Sequence, residues 1–141
     1  MSNELIFITG ATGFIGSATA VAALEAKYRL RVCLRKPSEQ LETLLSEYSD
    51  QVEFVIIPDL TDETAFGDEL NGVDYVLHLA SPLPHGTDKQ TYFPPAVKGT
   101  TALLKAAAKV PTIKKVVVTS SIAALIPMSG IPTGGVVKGT F

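Results

Sequence analysis

Three glycines at a fixed interval, Gly10, Gly13 and Gly16, constrain this chain more than any other feature. Ahead of them, Leu5-Ile6-Phe7-Ile8 has the β-branched and aromatic content of a buried strand. Behind them, Ser17 to Lys27 is rich in Ala and predicts a helix that starts at the last glycine. A strand, a tight turn and a helix in that order leave backbone N–H groups unpaired at the helix N-terminus, where the helix dipole adds partial positive charge. Glycine permits the sharp turn and lets a phosphate approach the backbone without meeting a Cβ. The Gly-x-x-Gly-x-x-Gly spacing differs from the Gly-x-Gly-x-x-Gly of many dinucleotide-binding turns. A structural turn without a ligand also uses glycines; the flanking strand and helix are what favour the phosphate reading.

The alternation continues along the chain. Leu30 to Leu34 reads as a second strand ending at Arg35-Lys36-Pro37. After Ser38, the residues Leu41, Leu44, Leu45 and Tyr48 recur at the spacing of an amphipathic helix. Val52 to Ile57 is a third strand, closed by Pro58-Asp59-Leu60. Thr61-Asp62-Glu63 puts a hydroxyl cap before two acids and predicts a short helix ending near Asn71-Gly72. Val73 to Ala80 is a fourth strand, followed by a Pro/Gly-rich loop from Ser81 to Gly86. A helix is expected from Pro95 to Lys109 with Leu103, Leu104, Ala107 and Ala108 inward, then a fifth strand from Lys114 to Thr119. Near-continuous apolar strands joined by helices imply an α/β fold, a parallel sheet covered on both faces. Right-handed crossovers and a glycine turn after the first strand give a doubly wound sheet of order 3-2-1-4-5. Beyond Ala124, prolines and glycines punctuate a loop-like tail, so residues 1–125 form the domain and 126–141 the tail.

Composition narrows the function classes. At 141 residues, 46% hydrophobic and 18% charged, the chain is expected to be one globular, soluble domain. A net charge of −2 gives no reason to expect nucleic acid or an acidic membrane surface as partner. Its single cysteine, Cys33, lies inside an apolar run, which predicts a buried inert thiol and a reducing compartment. No leader pattern opens the chain and no apolar run approaches bilayer length, so a cytoplasmic location is expected. No metal site is expected.

In an open α/β sheet, ligands sit at the carboxyl ends of the strands near the switch in strand order. There the second strand delivers Arg35 and Lys36. Arg35 lies nineteen positions past Gly16, and no acid occurs between Ala26 and Ser38. A base at this point suits the 2′-phosphate of NADP, whereas NAD sites carry an acid for the ribose hydroxyl. Arg35 and Lys36 also read as solvated strand-end charges. Asp59 and Leu60 suit an adenine edge and face, although a carboxylate after a strand needs no ligand. His78 reads as a structural strand-end histidine. Thr119-Ser120-Ser121 places hydroxyls where nicotinamide and substrate meet.

Taken in order, Gly10-Ala11-Thr12-Gly13-Phe14-Ile15-Gly16, Asp59-Leu60, His78-Leu79-Ala80-Ser81-Pro82, Val97-Lys98-Gly99-Thr100 and Val118-Thr119-Ser120-Ser121 resemble the extended short-chain dehydrogenase/reductase superfamily. The nearest branch is the dihydroflavonol, cinnamoyl-CoA and aldehyde/ketone reductase group. The resemblance runs from about residue 4 to 124 and implies a Rossmann fold that binds NADP(H). It places Gly10, Thr12, Gly13, Phe14, Ile15 and Gly16 at the pyrophosphate and adenosine ribose, and Arg35 and Lys36 at the 2′-phosphate. It sets Asp59 and Leu60 by the adenine, and Leu79, Ala80 and Ser81 by the nicotinamide half. Ser120 would line the cofactor, and Ser121 aligns with the family's catalytic serine, which hydrogen-bonds the substrate carbonyl.

One departure qualifies these matches. The family's proton donor is the tyrosine of a Tyr-x-x-x-Lys motif, yet none of Tyr28, Tyr48, Tyr75 and Tyr92 has a lysine four positions on. The chain therefore resembles the N-terminal half of a reductase, without the substrate domain and incomplete at the fifth-strand edge. The reading that results is the cofactor half of an NADPH-dependent carbonyl reductase acting on a small-molecule ketone or aldehyde, inactive by itself. The alternatives are a non-catalytic NADP(H)-binding short form and part of a sugar-nucleotide epimerase or dehydratase. The loop Ser81-Pro82-Leu83-Pro84 favours the reductase branch. The fifth strand is expected to self-associate, to pair with a C-terminal half, or to be covered by the tail.

Overall fold

A computed structural model describes residues 3–82, 88–126, 130 and 133–135. Five strands, β1 (Leu5–Thr9), β2 (Arg29–Leu34), β3 (Val52–Ile56), β4 (Tyr75–His78) and β5 (Lys115–Val118), form one sheet. All pairings are parallel and the order is β3-β2-β1-β4-β5, the doubly wound arrangement expected from the alternation. Three α-helices cover it: α1 (Phe14–Glu25), α2 (Glu39–Leu44) and α3 (Lys89–Ala108).

Alternation along β1 divides the core into two layers, because successive side chains of a strand point to opposite faces. Leu5 and Phe7 join Val76, Phe66, Leu70 and, from α3, Leu103 and Ala107. Ile6 and Ile8 join Val32, Leu24 of α1, and Leu41 and Leu45. Phe7 meets Phe66 edge to face at 6.2 Å. Cys33 is buried as expected, and that burial, with Glu69 nearby, pushes its thiol up to about 12. Among the described residues no helix is long and apolar enough to cross a membrane.

Several boundaries differ from the sequence reading, each for a local reason. Helix α1 starts at Phe14 rather than Ser17, because Gly13 is its extended N-cap (φ −83°, ψ 168°) and Gly16 already lies inside the first turn. It ends at Glu25, and Lys27 takes a left-handed φ of 69° instead of continuing the helix. Helix α2 stops at Leu44, so Leu45 turns into the core, Leu44 is exposed, and Tyr48 falls in a separate 3₁₀ turn. The cap before Glu63 is Asp62, not Thr61, and the segment it opens is 3₁₀. Helix α3 begins six residues before Pro95, because Asp88 caps it by accepting from the Gln90 N–H at 2.9 Å. Its inward stripe is Ala102, Leu103, Ala106 and Ala107, which leaves Leu104 and Ala108 exposed, contrary to expectation.

Strand β5 forms one edge of the described sheet. Val116 packs on the α3 layer, whereas Val117 is 49% exposed. Leu83 to Gly86, and all of the tail beyond Ile126 except Gly130 and residues 133–135, lie outside the described residues.

Candidate functional site

Strand register brings the predicted residues to one edge. Thr9 is level with Cys33 and His78, Leu34 with Ile56, and His78 with Val118. The glycine turn, Arg35-Lys36, Asp59-Leu60, Leu79-Ala80-Ser81 and Ser120-Ser121 therefore all leave the sheet at its carboxyl edge.

The three glycines serve different ends. Gly10 has φ 78°, and a Cβ on it would lie 2.5 Å from the Ala80 nitrogen. A Cβ on Gly16 would overlap the Gly10 carbonyl group. Both are demanded by close packing within the chain. Gly13 is not: its backbone is extended, and a Cβ there would meet nothing nearer than the Gly10 oxygen at 3.4 Å. The space beside Gly13 is open, a cradle that a side chain would partly fill.

Helix α1 starts at this cradle without a side-chain cap and without an acid in its first turn. By contrast, Ser38 caps α2 and Asp88 caps α3. The first N–H groups of a helix have no intrahelical partners, so an uncapped N-terminus can take an anion. Phe14 is 94% exposed and Ile15 60% exposed over this turn, and Thr12 is exposed beside them.

Arg35 and Lys36 are exposed and make no ion pair with a described residue. Asp59 is already engaged: its Oδ1 accepts from the Thr61 hydroxyl at 2.7 Å and the Thr61 N–H at 2.8 Å. Those bonds hold its carboxyl below the ordinary carboxylate range. Leu60 is half-buried and packs against the core. Leu79 and Ala80 are half-buried, and Ser81 is exposed.

Ser120 and Ser121 are exposed just past β5. The Ser121 Oγ accepts from the Ala123 N–H at 3.2 Å and caps the 3₁₀ turn Ile122–Ala124. A hydroxyl that accepts one bond keeps its proton for donation. His78 is buried, with Nδ1 2.8 Å from the Thr9 Oγ1, and burial lowers its pKa. Sequence reasoning missed Thr9, because its partner is sixty-nine positions away and only the β1–β4 register joins them. Cavities of about 190 Å³ at Arg29, Leu30 and Asp50 to Glu53, and about 140 Å³ at Thr61, Glu63, Lys98, Thr101, Ala102 and Lys105, lie apart from the glycine turn.

Residues 6–136 match the profile of the NAD dependent epimerase/dehydratase family. The chain belongs to that family. Among curated relatives of this epimerase/dehydratase member, the ketoreductase sphI of Aspergillus fumigatus is 67% identical over 138 residues, covering 98% of this chain and 41% of the relative. Among solved structures, yeast methylglyoxal/isovaleraldehyde reductase Gre2 complexed with NADPH superposes with TM-score 0.74 at 26% identity, covering 89% of this chain and 39% of that one. Gre2 of Candida albicans in complex with NADPH gives 0.77 at 29%, covering 89% and 40%. The chain thus spans about two fifths of the length of these relatives. Family membership and the Rossmann-like sheet agree with the resemblance read from the motifs.

Proposed function

We propose that this chain is the NADP(H)-binding part of an NADPH-dependent carbonyl reductase. The observation that carries the reading is the open cradle at Gly13 in front of the uncapped α1 N-terminus. A glycine suits the N-cap of α1 in any case, and a pyrophosphate needing close backbone approach gives a further reason for it. The NADPH complexes of the two Gre2 proteins support this cofactor.

In this reading the N–H groups of Phe14, Ile15 and Gly16 hold the pyrophosphate, with Gly10, Thr12 and Gly13 shaping the turn. Arg35, helped by Lys36, meets the 2′-phosphate with its planar fork. Asp59 and Leu60 border the adenine, while Leu79, Ala80, Ser81 and Ser120 line the path toward the nicotinamide. When bound, the dinucleotide supplies a hydride to the carbonyl carbon. Ser121 donates its hydroxyl proton as a hydrogen bond to the carbonyl oxygen and orients the substrate.

No tyrosine here is followed four positions on by a lysine, so the segment by itself lacks the pair that would protonate that oxygen. Losing a positioned general acid typically costs about 10²–10⁴-fold. A second reading is a short form that binds NADP(H) without turnover. The family description keeps epimerase or dehydratase chemistry as a third, against which Arg35 argues. Two assays on the purified chain test the proposal: fluorescence titration with NADPH, and NADPH consumption with aldehydes and ketones. Binding without consumption is the expected result; no binding overturns the cofactor assignment, and robust consumption overturns the account of the missing pair.

A further inference from the structure

The end of β4 is tied to the end of β1 by more than strand pairing. The Thr9 Oγ1 accepts from the Ala80 N–H at 3.2 Å, and the Leu79 N–H donates to the Thr9 carbonyl at 3.2 Å. Thr9 is fully buried and His78 nearly so. With one lone pair of Oγ1 taken by Ala80, the hydroxyl keeps its proton and a second lone pair, and one of these meets the His78 Nδ1, 2.8 Å away, according to the ring tautomer. Gly10, the next residue, brings its backbone against Leu79 and Ala80 so closely that no Cβ fits.

We infer that Thr9 and His78 are positioning residues that fix the Leu79-Ala80-Ser81 backbone against the glycine turn, and so set the width of the dinucleotide path between them. The inference rests on the cofactor reading above and assigns the pair a role in binding rather than filling. Removing the hydroxyl deprives the part-buried Ala80 N–H and the buried imidazole nitrogen of their shared partner, which costs more than the net worth of one bond. The cheapest relaxation is for the Leu79–Ser81 segment to move, and that motion is felt by the ligand.

The test is NADPH affinity in paired variants of the full 141-residue chain, with folding checked by circular dichroism. Thr9→Val keeps the shape and removes the hydroxyl; Thr9→Ser restores it. His78→Leu removes the ring nitrogen, and His78→Asn returns an amide near the Nδ1 position. Thr9→Val and His78→Leu are expected to weaken NADPH about tenfold, the scale of one lost buried hydrogen bond, with Thr9→Ser and His78→Asn within about threefold of wild type. Folded Thr9→Val and His78→Leu proteins with wild-type affinity overturn the inference alone, whereas a wild-type chain that binds no NADPH overturns the functional reading beneath it. Should both removals fail to fold, ¹⁵N spectra of wild-type His78 decide: an Nδ1 signal that shifts on adding NADPH supports the role, and a signal indifferent to NADPH overturns it.

Discussion

Gly16 packs directly on Gly10: a Cβ built on Gly16 would stand 2.0 Å from the Gly10 carbonyl oxygen. Since Gly10 in turn abuts Leu79 and Ala80, the first helical turn of α1, the end of β1 and the end of β4 form one backbone-to-backbone contact. Gly16→Ala and Gly10→Ala are therefore expected to cost about 3 kcal/mol or more, the upper range for overpacking where only backbone can yield. Gly13→Ala should cost about 1 kcal/mol or less, the penalty of a poorer N-cap. Urea denaturation of the three variants checks the ranking; equal losses contradict it.

The proposed contact of Arg35 with a 2′-phosphate makes a prediction about cofactor preference. A hydrogen bond to a charged group contributes about 1.5–3 kcal/mol, which corresponds to roughly ten- to hundredfold preference for NADPH over NADH. Titration of both cofactors should show that preference, and Arg35→Ala should remove it. An unchanged ratio in the variant contradicts the assignment.

His78 should make stability depend on pH. Burial lowers its folded pKa, so the unfolded chain takes up a proton near pH 6.5 while the folded site resists it. The stability it contributes is full above about 6.5 and is lost as pH falls through that value toward the lower folded pKa. The urea midpoint should drop across this window in the wild type and drop less in His78→Asn. Parallel profiles would show that His78 is not held neutral by the fold.

Edge exposure at β5 predicts association. Lys114, at the start of this edge, is held by Glu4 at 2.8 Å and Asp74 at 3.0 Å. Val117, Ile122 and Leu125 are exposed, and among the described residues no strand pairs with the outer side of β5. Such an edge is a template for another strand. Light scattering should show mass rising with concentration for the purified chain, and Val117→Lys should suppress the rise. A monomer at all concentrations contradicts it.

The strand order was legible because each apolar run is bounded by turn residues and the glycine interval marks the first crossover. Arg35, Ala80 and Ser121 were legible for the same reason: each follows a strand by a few positions, and parallel register carries all of them to one edge. Facing was not. Leu104 and Leu103 are equally apolar, and only the rotation of α3, fixed by an Asp88 cap seven residues ahead of the Pro95 expected to start it, turns one in and the other out. Nor could spacing distinguish Gly13, open to ligand, from Gly10 and Gly16, filled by the chain's own backbone. Asp59 and Ser121 also bond locally, accepting from the Thr61 and Ala123 N–H groups, a use that their place after a strand did not reveal.

The central claim is that the fold leaves Gly13 open for a dinucleotide phosphate. NADPH titration of Gly13→Ala beside the wild type tests it most directly. The account predicts a variant folded like the wild type whose NADPH affinity is at least about tenfold weaker, because the new methyl occupies the phosphate approach. A folded Gly13→Ala protein that binds NADPH as tightly as the wild type would contradict it.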